Sequence, residues 1–309
     1  MRKRVYNCGI DILKIMACFG VVFLHFGGGG RVASLSVPIF MFVAAYLCGR
    51  LLTEGDQQGL FRRVRRLYVP FFVWGLIYYV VYSIFEHRLD CIVLLQQMTI
   101  GAPACPVLYF LFLLVCYTMI LYCVGHMQCA RWALLVVLFI LCFALQYTGL
   151  NARLFAPLPF TLKMVLGRFV ELFPSAICGY AFYLFSSRHE RSVGVVIIGA
   201  VLLMGYLVTV FWRQSFGVSG FSYQGAPLLF GAVGVCMVAI SGYGVECAWT
   251  KMIAELTPGV YYLHLLVGKG IEMIVGRQRG WTEAMIVFFI SCVCVCMLKQ
   301  VRYVKELVK

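Results

Sequence analysis

Ten stretches of about twenty mostly apolar residues follow one another with only short polar connections between them. They lie at 10–27, 35–52, 67–85, 107–125, 131–148, 164–185, 192–212, 226–245, 256–275 and 282–299. About 20 apolar residues in helical conformation cross the hydrocarbon core of a bilayer. The spacing therefore predicts an all-α fold, a polytopic transmembrane helix bundle of about ten spans, as a single domain over residues 1–309. The ninth run is the least regular, since it contains Lys269 and Glu272.

Composition agrees with burial in lipid: 63% of the chain is hydrophobic, 12% is charged, and the mean hydropathy is +0.93. The net charge of +14 raises the question of a nucleic-acid partner. The basic residues, however, sit between the apolar runs, with no aromatic-rich basic domain to hold a strand, so the expected partner is the lipid bilayer. With the amino terminus in the cytoplasm, sixteen basic residues fall inside and nine fall outside or at outer helix ends. That asymmetry favours both termini inside. The first run has no small-residue cleavage site and is followed at once by a second, so it is expected to stay as an anchor.

The first run, Gly9 to Phe26, carries Asp11, Lys14 and His25. A charge near the bilayer centre costs at least ~2.5–3.5 kcal/mol and usually faces protein or a wet cavity. On a helix turning ~100° per residue, Lys14 and His25 are eleven steps apart, which returns them to within ~20° of one face and separates them by ~16 Å along the axis. Asp11 joins that face at i, i−3 from Lys14. This polar face is the first candidate for a reaction path through the membrane.

The densest charge is Arg62, Arg63, Arg65 and Arg66, between the second and third runs. Such a cluster serves either as a positive-inside anchor against anionic headgroups or as a cytoplasmic phosphate site. Gly27 to Gly30 lack the lysine and preceding strand of a phosphate loop and form a permissive outer connection. Ser36 and Pro38 are expected to open the second helix as a cap and a first-turn proline. The outer segment 86–106, with Glu86, His87, Arg88, Asp90 and Pro103, is expected to be a solvated connection. His126 and His189 fall in cytoplasmic turns, and Arg168 and Glu171 can neutralise one another at i, i+3. Tyr261, Tyr262 and His264 follow Thr257, Pro258 and Gly259 in the ninth run, where an intramembrane histidine is a site candidate.

Most of the fifteen cysteines lie inside apolar runs, where a thiol behaves as a small hydrophobe. Cys292, Cys294 and Cys296 alternate and show no zinc spacing, so no metal is expected. Cys91 and Cys105 share one connection and pair only if it faces an oxidising compartment.

Several of these stretches resemble, in order, the acyltransferase 3 family of bacterial membrane proteins. The first helix is similar in having a basic residue followed eleven positions later by a histidine, Lys14 and His25, although family members more usually carry Arg at the first position. Ser36 to Leu47 resembles the opening of the second helix, with Ala44 and Ala45 where Ser-Gly is typical. Phe61 to Pro70 resembles the basic segment before the third helix. Leu108, Tyr109, Phe110 and Leu111 resemble a Leu-Trp-Phe-Leu stretch, Phe173 to Tyr180 a Phe-rich stretch ending in Gly-Tyr, and Gly259 to His264 a late Tyr-Leu-His motif.

The resemblance implies an O-acyltransferase of the cell inner membrane. It would move an acyl group, commonly acetyl, from cytoplasmic acyl-coenzyme A to a hydroxyl of a cell-surface or lipid-linked carbohydrate, with no permanently bound cofactor. On that reading Arg62, Arg63, Arg65 and Arg66 bind the donor, and His25 is a general base or a transient acyl carrier. Lys14 steadies an oxyanion or binds donor phosphate, and Asp11 orients or neutralises it. Ser36, Tyr109, Tyr261 and His264 are candidates for substrate contact. Two alternatives use the same features: a transporter or flippase for a lipid-linked saccharide, although no internal repeat is evident, and a non-catalytic partner in polysaccharide export.

Overall fold

Asn7 starts the first helix by accepting from Gly9 N at 3.0 Å, while its own amide donates to Ile240 O at 2.8 Å. The helix that follows, α1 (Cys8–Phe26), is unbroken and ends where Gly27 N donates to Phe23 O at 2.7 Å. In the computed structural model, which describes residues 7–27, 30, 32–105, 107–148, 150–187, 192–215, 226–242, 247–276, 280–301, 304 and 307–308, all secondary structure is helical. Gly28, Gly29, Arg31, His189 and the basic residues Arg2, Lys3, Arg4, Arg188, Arg191, Arg277, Arg279, Arg302, Lys305 and Lys309 lie outside the described residues, as does the side chain of Arg213.

The remaining helices are α2 (Ser36–Glu54), α3 (Gln57–Glu86), α4 (Cys91–Ile100), α5 (Tyr109–His126), α6 (Arg131–Tyr147), α7 (Leu150–Leu154), α8 (Phe160–Ser186), α9 (Val193–Ser215), α10 (Ala226–Ser241), α11 (Ala248–Ala254), α12 (Thr257–Val275) and α13 (Trp281–Gln300). Every one of the ten apolar runs forms a helix. Among the described residues, seven are long and apolar enough to cross a membrane: those at Cys8–Phe26, Ala33–Glu54, Gln57–Glu86, Tyr109–His126, Phe160–Ser186, Val193–Trp212 and Trp281–Gln300. Outward apolar stripes fit a lipid solvent. On α9, Ile197, Val201, Met204, Val208 and Phe211 are all exposed at helical spacing. The chain is a multi-pass membrane protein.

By backbone proximity the chain divides into two compact units, Met1–Val43 with Phe185–Lys309, and Ala44–Leu184. In the first, α1 is the hub and packs on α10, α11, α12 and α13, while α9 pairs with α10. Gly20 makes the approach to Ser36 possible, because a Cβ at residue 20 would fall 1.8 Å from the Ser36 hydroxyl oxygen.

In the second unit, Tyr117 is the buried pivot. Its ring stacks on Phe173 with centroids 4.8 Å apart, and its hydroxyl donates to Phe169 O at 2.7 Å. Pro174 lacks the N–H that would bond Val170 O within α8, and Gln146 Nε2 donates to that carbonyl instead at 2.9 Å. Arg168 and Glu171 form the expected pair at 2.6 Å.

Several local expectations need correction. Segment 86–106 is not a plain solvated connection: Asp90 caps Ile92 N and Val93 N, and α4 runs to a left-handed Gly101 (φ 74°). Ser36 does not cap α2, because it is itself helical (φ −59°, ψ −46°) and continues from a 3₁₀ turn at Ala33–Leu35. The basic segment is not a connection either. Asp56 accepts from Gly59 N at 2.9 Å and starts α3 at Gln57, so Arg62 to Arg66 ride on the same helix as the third span. All fifteen cysteines are free thiols, with Cys91 exposed and Cys105 buried rather than bridged.

Candidate active site

The first unit gathers six of the residues singled out in the sequence. At the start of α1, Lys14 Nζ donates to the Asp11 carboxylate at 2.9 Å. Asp11 is almost fully buried, whereas the Lys14 side chain is 31% exposed. Because α1 is unbroken, the ~16 Å rise from Lys14 to His25 stands, and the two do not meet at one atom. His25 occupies the last turn and is half-buried.

The other end of α1 is built with α12. The rings of His25 and His264 have centroids 5.4 Å apart. His264 is fully buried, and its Nδ1 lies 2.7 Å from Tyr261 O. A carbonyl oxygen only accepts, so Nδ1 carries the proton, and Nε2 presents a lone pair that is buried without a partner. Tyr261 lies 6.0 Å from the His264 ring and 6.2 Å from Phe40, between centroids. Phe26, next to His25, packs on Gly268, where a Cβ would fall 2.0 Å from the ring. Lower down, the Cys18 thiol donates to Thr257 O at 3.5 Å. Ser36, buried against Gly20, belongs to the same unit.

The remaining candidates lie in the second unit, and the helix separates the four arginines. Arg62 lies 3.6 Å from the Asp56 carboxylate. Arg65 and Arg66 share its outward side and are exposed. Arg63 turns inward, where its guanidinium reaches the Cys48 thiol and its Nε is buried without an acceptor. Tyr109 is half-buried at the first position of α5. In the first unit, Lys269 pairs with Glu272 at 3.2 Å on α12.

Two buried charged residues were not among the site candidates. Arg131 opens α6 and donates from Nη2 to Gly125 O at 2.7 Å. Glu283 lies in the first turn of α13, 6% exposed, with both carboxylate oxygens buried and without partners. An acidic residue at the second position of the apolar run 282–299 was the signal that could have found it.

Comparison with known families decides what chemistry this framework serves. A family model described as an acyltransferase domain matches residues 7–300. The chain belongs to the acyltransferase 3 family. It is therefore a membrane acyltransferase, transferring groups other than aminoacyl groups. Searches of curated proteins and of solved structures return no match to it. In this acyltransferase the polar face of α1 is a continuous element, with an ion pair at one end and a histidine pair at the other.

Proposed function

We propose that this membrane acyltransferase moves an acyl group, acetyl in the simplest case, from cytoplasmic acyl-coenzyme A to a hydroxyl of a cell-surface or lipid-linked carbohydrate in the inner membrane. Both termini then face the cytoplasm. The observation that carries the reading is the His25–His264 pair at the far end of the helix that holds Asp11 and Lys14.

A neutral imidazole can act as a general base toward an attacking hydroxyl. His25 takes the proton of the acceptor O–H as the oxygen attacks the thioester carbonyl. The C–S bond then breaks, and the coenzyme A thiolate takes the proton back from His25, so the products are an ester and a free thiol. The role of His264 follows from its fixed tautomer. A neutral ring beside His25, with a lone pair on Nε2, tolerates the transient imidazolium, which a second cation would oppose.

The donor carries phosphates, and the α3 arginines supply the matching charge. Arg63 is best placed to contact it, because its Nε has no acceptor, whereas Arg62 is already beside Asp56. Lys14, held by Asp11, serves the donor side.

The test uses purified protein in lipid nanodiscs with radiolabelled acetyl-coenzyme A and a surface-glycan extract of the producing cells. Labelled ester is expected with the wild type and is abolished in His25→Ala that remains monodisperse. Undiminished turnover in that variant, or saccharide transport without ester formation, overturns the proposal.

A further inference from the structure

Glu283 has no explanation in the fold. It occupies the third position of α13, where a glutamate ordinarily reaches back to the N-cap N–H. Here that N–H, on Gly280, donates instead to Phe26 O at 2.9 Å. Among the described residues, both carboxylate oxygens are buried and find no partner. An unpaired carboxylate is expensive inside a membrane protein, and such residues mark functional sites.

Two contacts place the helical turn that carries it. The Gly280–Phe26 hydrogen bond and the Trp281–Phe23 ring contact, at 4.2 Å between centroids, set the first turn of α13 beside the last turn of α1. That last turn carries His25, which in turn meets His264. Among the described residues, the buried polar atoms without partners at this end are His264 Nε2 and the two oxygens of Glu283. Adjacent hydroxyls, each bringing a donor, match the two oxygens of one carboxylate.

We infer that Glu283 is the acceptor anchor of the acyltransferase, its carboxylate receiving hydrogen bonds from hydroxyls that neighbour the one reacting at His25. This rests on the polyhydroxyl acceptor argued above, and it makes Glu283 the residue that prefers a vicinal diol to an isolated alcohol.

The experiment uses full-length Glu283→Gln in nanodiscs. It measures thermal stability, cleavage of acetyl-coenzyme A with water as acceptor, and ester formation with the same surface-glycan extract. Gln has nearly the same shape and replaces a side chain with no hydrogen-bond partner among the described residues, so the melting temperature should hold. Thioester cleavage by water should stay within about twofold of wild type, while the KM for the glycan extract rises tenfold or more. Glu283→Asp, which keeps the charge, should recover part of that loss.

Three results overturn the inference: a lowered melting temperature with donor cleavage and transfer falling together, an unchanged KM for the extract, or no recovery in Glu283→Asp. If wild-type protein neither cleaves nor transfers the acetyl group, the acylation reading itself fails, which is a different outcome from a wild type that works beside an unaffected variant.

Discussion

His25 on α1 and His264 on α12 face one another with ring centroids 5.4 Å apart, and the second ring is locked by a 2.7 Å hydrogen bond from Nδ1 to Tyr261 O. His264→Asn keeps a donor near the Tyr261 carbonyl but loses the Nε2 lone pair. It should fold normally and lower turnover by ~10²-fold, within the range for a positioned acid–base group. His25→Ala should lose more, and the double variant little beyond His25→Ala. Additive losses in steady-state kinetics would show that the two rings act independently.

The ion pair at the other end is asymmetric. Asp11 is buried and Lys14 is partly exposed, so loss of the lysine is felt at the more costly charge. Lys14→Gln should destabilise more than Asp11→Asn, by an amount between the ~1 kcal/mol of an exposed pair and the ~3–5 kcal/mol of a buried one. Lys14→Gln with Asp11→Asn should recover most of the loss. Thermal melts of the three proteins in one detergent provide the check.

The arginines should not behave alike. Arg63→Gln is expected to raise the KM for acyl-coenzyme A at least tenfold, since it removes the inward guanidinium whose Nε lacks an acceptor. Arg65→Gln and Arg66→Gln, on the exposed side of α3, should change it less than threefold and act chiefly on membrane insertion. Equal effects at all four positions would leave the cluster as a topology anchor.

Gly268 is the point at which α12 admits Phe26. A methyl there would fall 2.0 Å from the ring, so Gly268→Ala must push Phe26 aside, and His25 is the next residue. The variant should still insert, yet lose tenfold or more in transfer. Leaving donor binding unchanged would mark the defect as one of histidine alignment.

Orientation can be read from thiols. Cys91 and Cys247 are both exposed, and with the amino terminus inside they lie on opposite sides of the bilayer. Hydrogen bonds from the Thr250 backbone and hydroxyl lower the Cys247 thiol below its ordinary range, so more of it is thiolate at neutral pH and alkylation is fast. Burial pushes the Cys105 thiol up to about 12, so it should resist the reagent until the protein is unfolded. An impermeant maleimide should label Cys91 in intact cells and Cys247 only after permeabilisation. The reverse pattern inverts the topology.

The long helices were legible because hydropathy is a local property: each apolar run declares its own helix whatever it packs against. The Arg168–Glu171 pair was legible for the same reason, being set by spacing on one helix. The start of α3 was not, since apolarity begins near Leu67 while the helix begins at Gln57, where Asp56 supplies the cap. In α4, ten residues with two glutamines and a threonine are too short to read as a span, and only the Asp90 cap and the left-handed Gly101 define it. At the site, Asp11, Lys14 and His25 stood out because charge on an apolar run is conspicuous. The meeting of His25 with His264 left no local trace, because it depends on how α1 packs against α12. Glu283 was hidden by its position, since an acidic residue in a first turn ordinarily reads as a helix cap.

The unbroken course of α1 acts as a ruler. With Lys14 and His25 fixed on one rigid rod, no rearrangement within that helix can bring the charged end and the histidine end to the same atom. On the proposed reading, the slender arm of the donor must cover the interval, and the nucleotide end of coenzyme A never approaches the reacting carbon. The protein would then grip its donor as a thread through an eyelet: a shortened thioester should bind at the charged end of α1 yet stall, however tightly it is held.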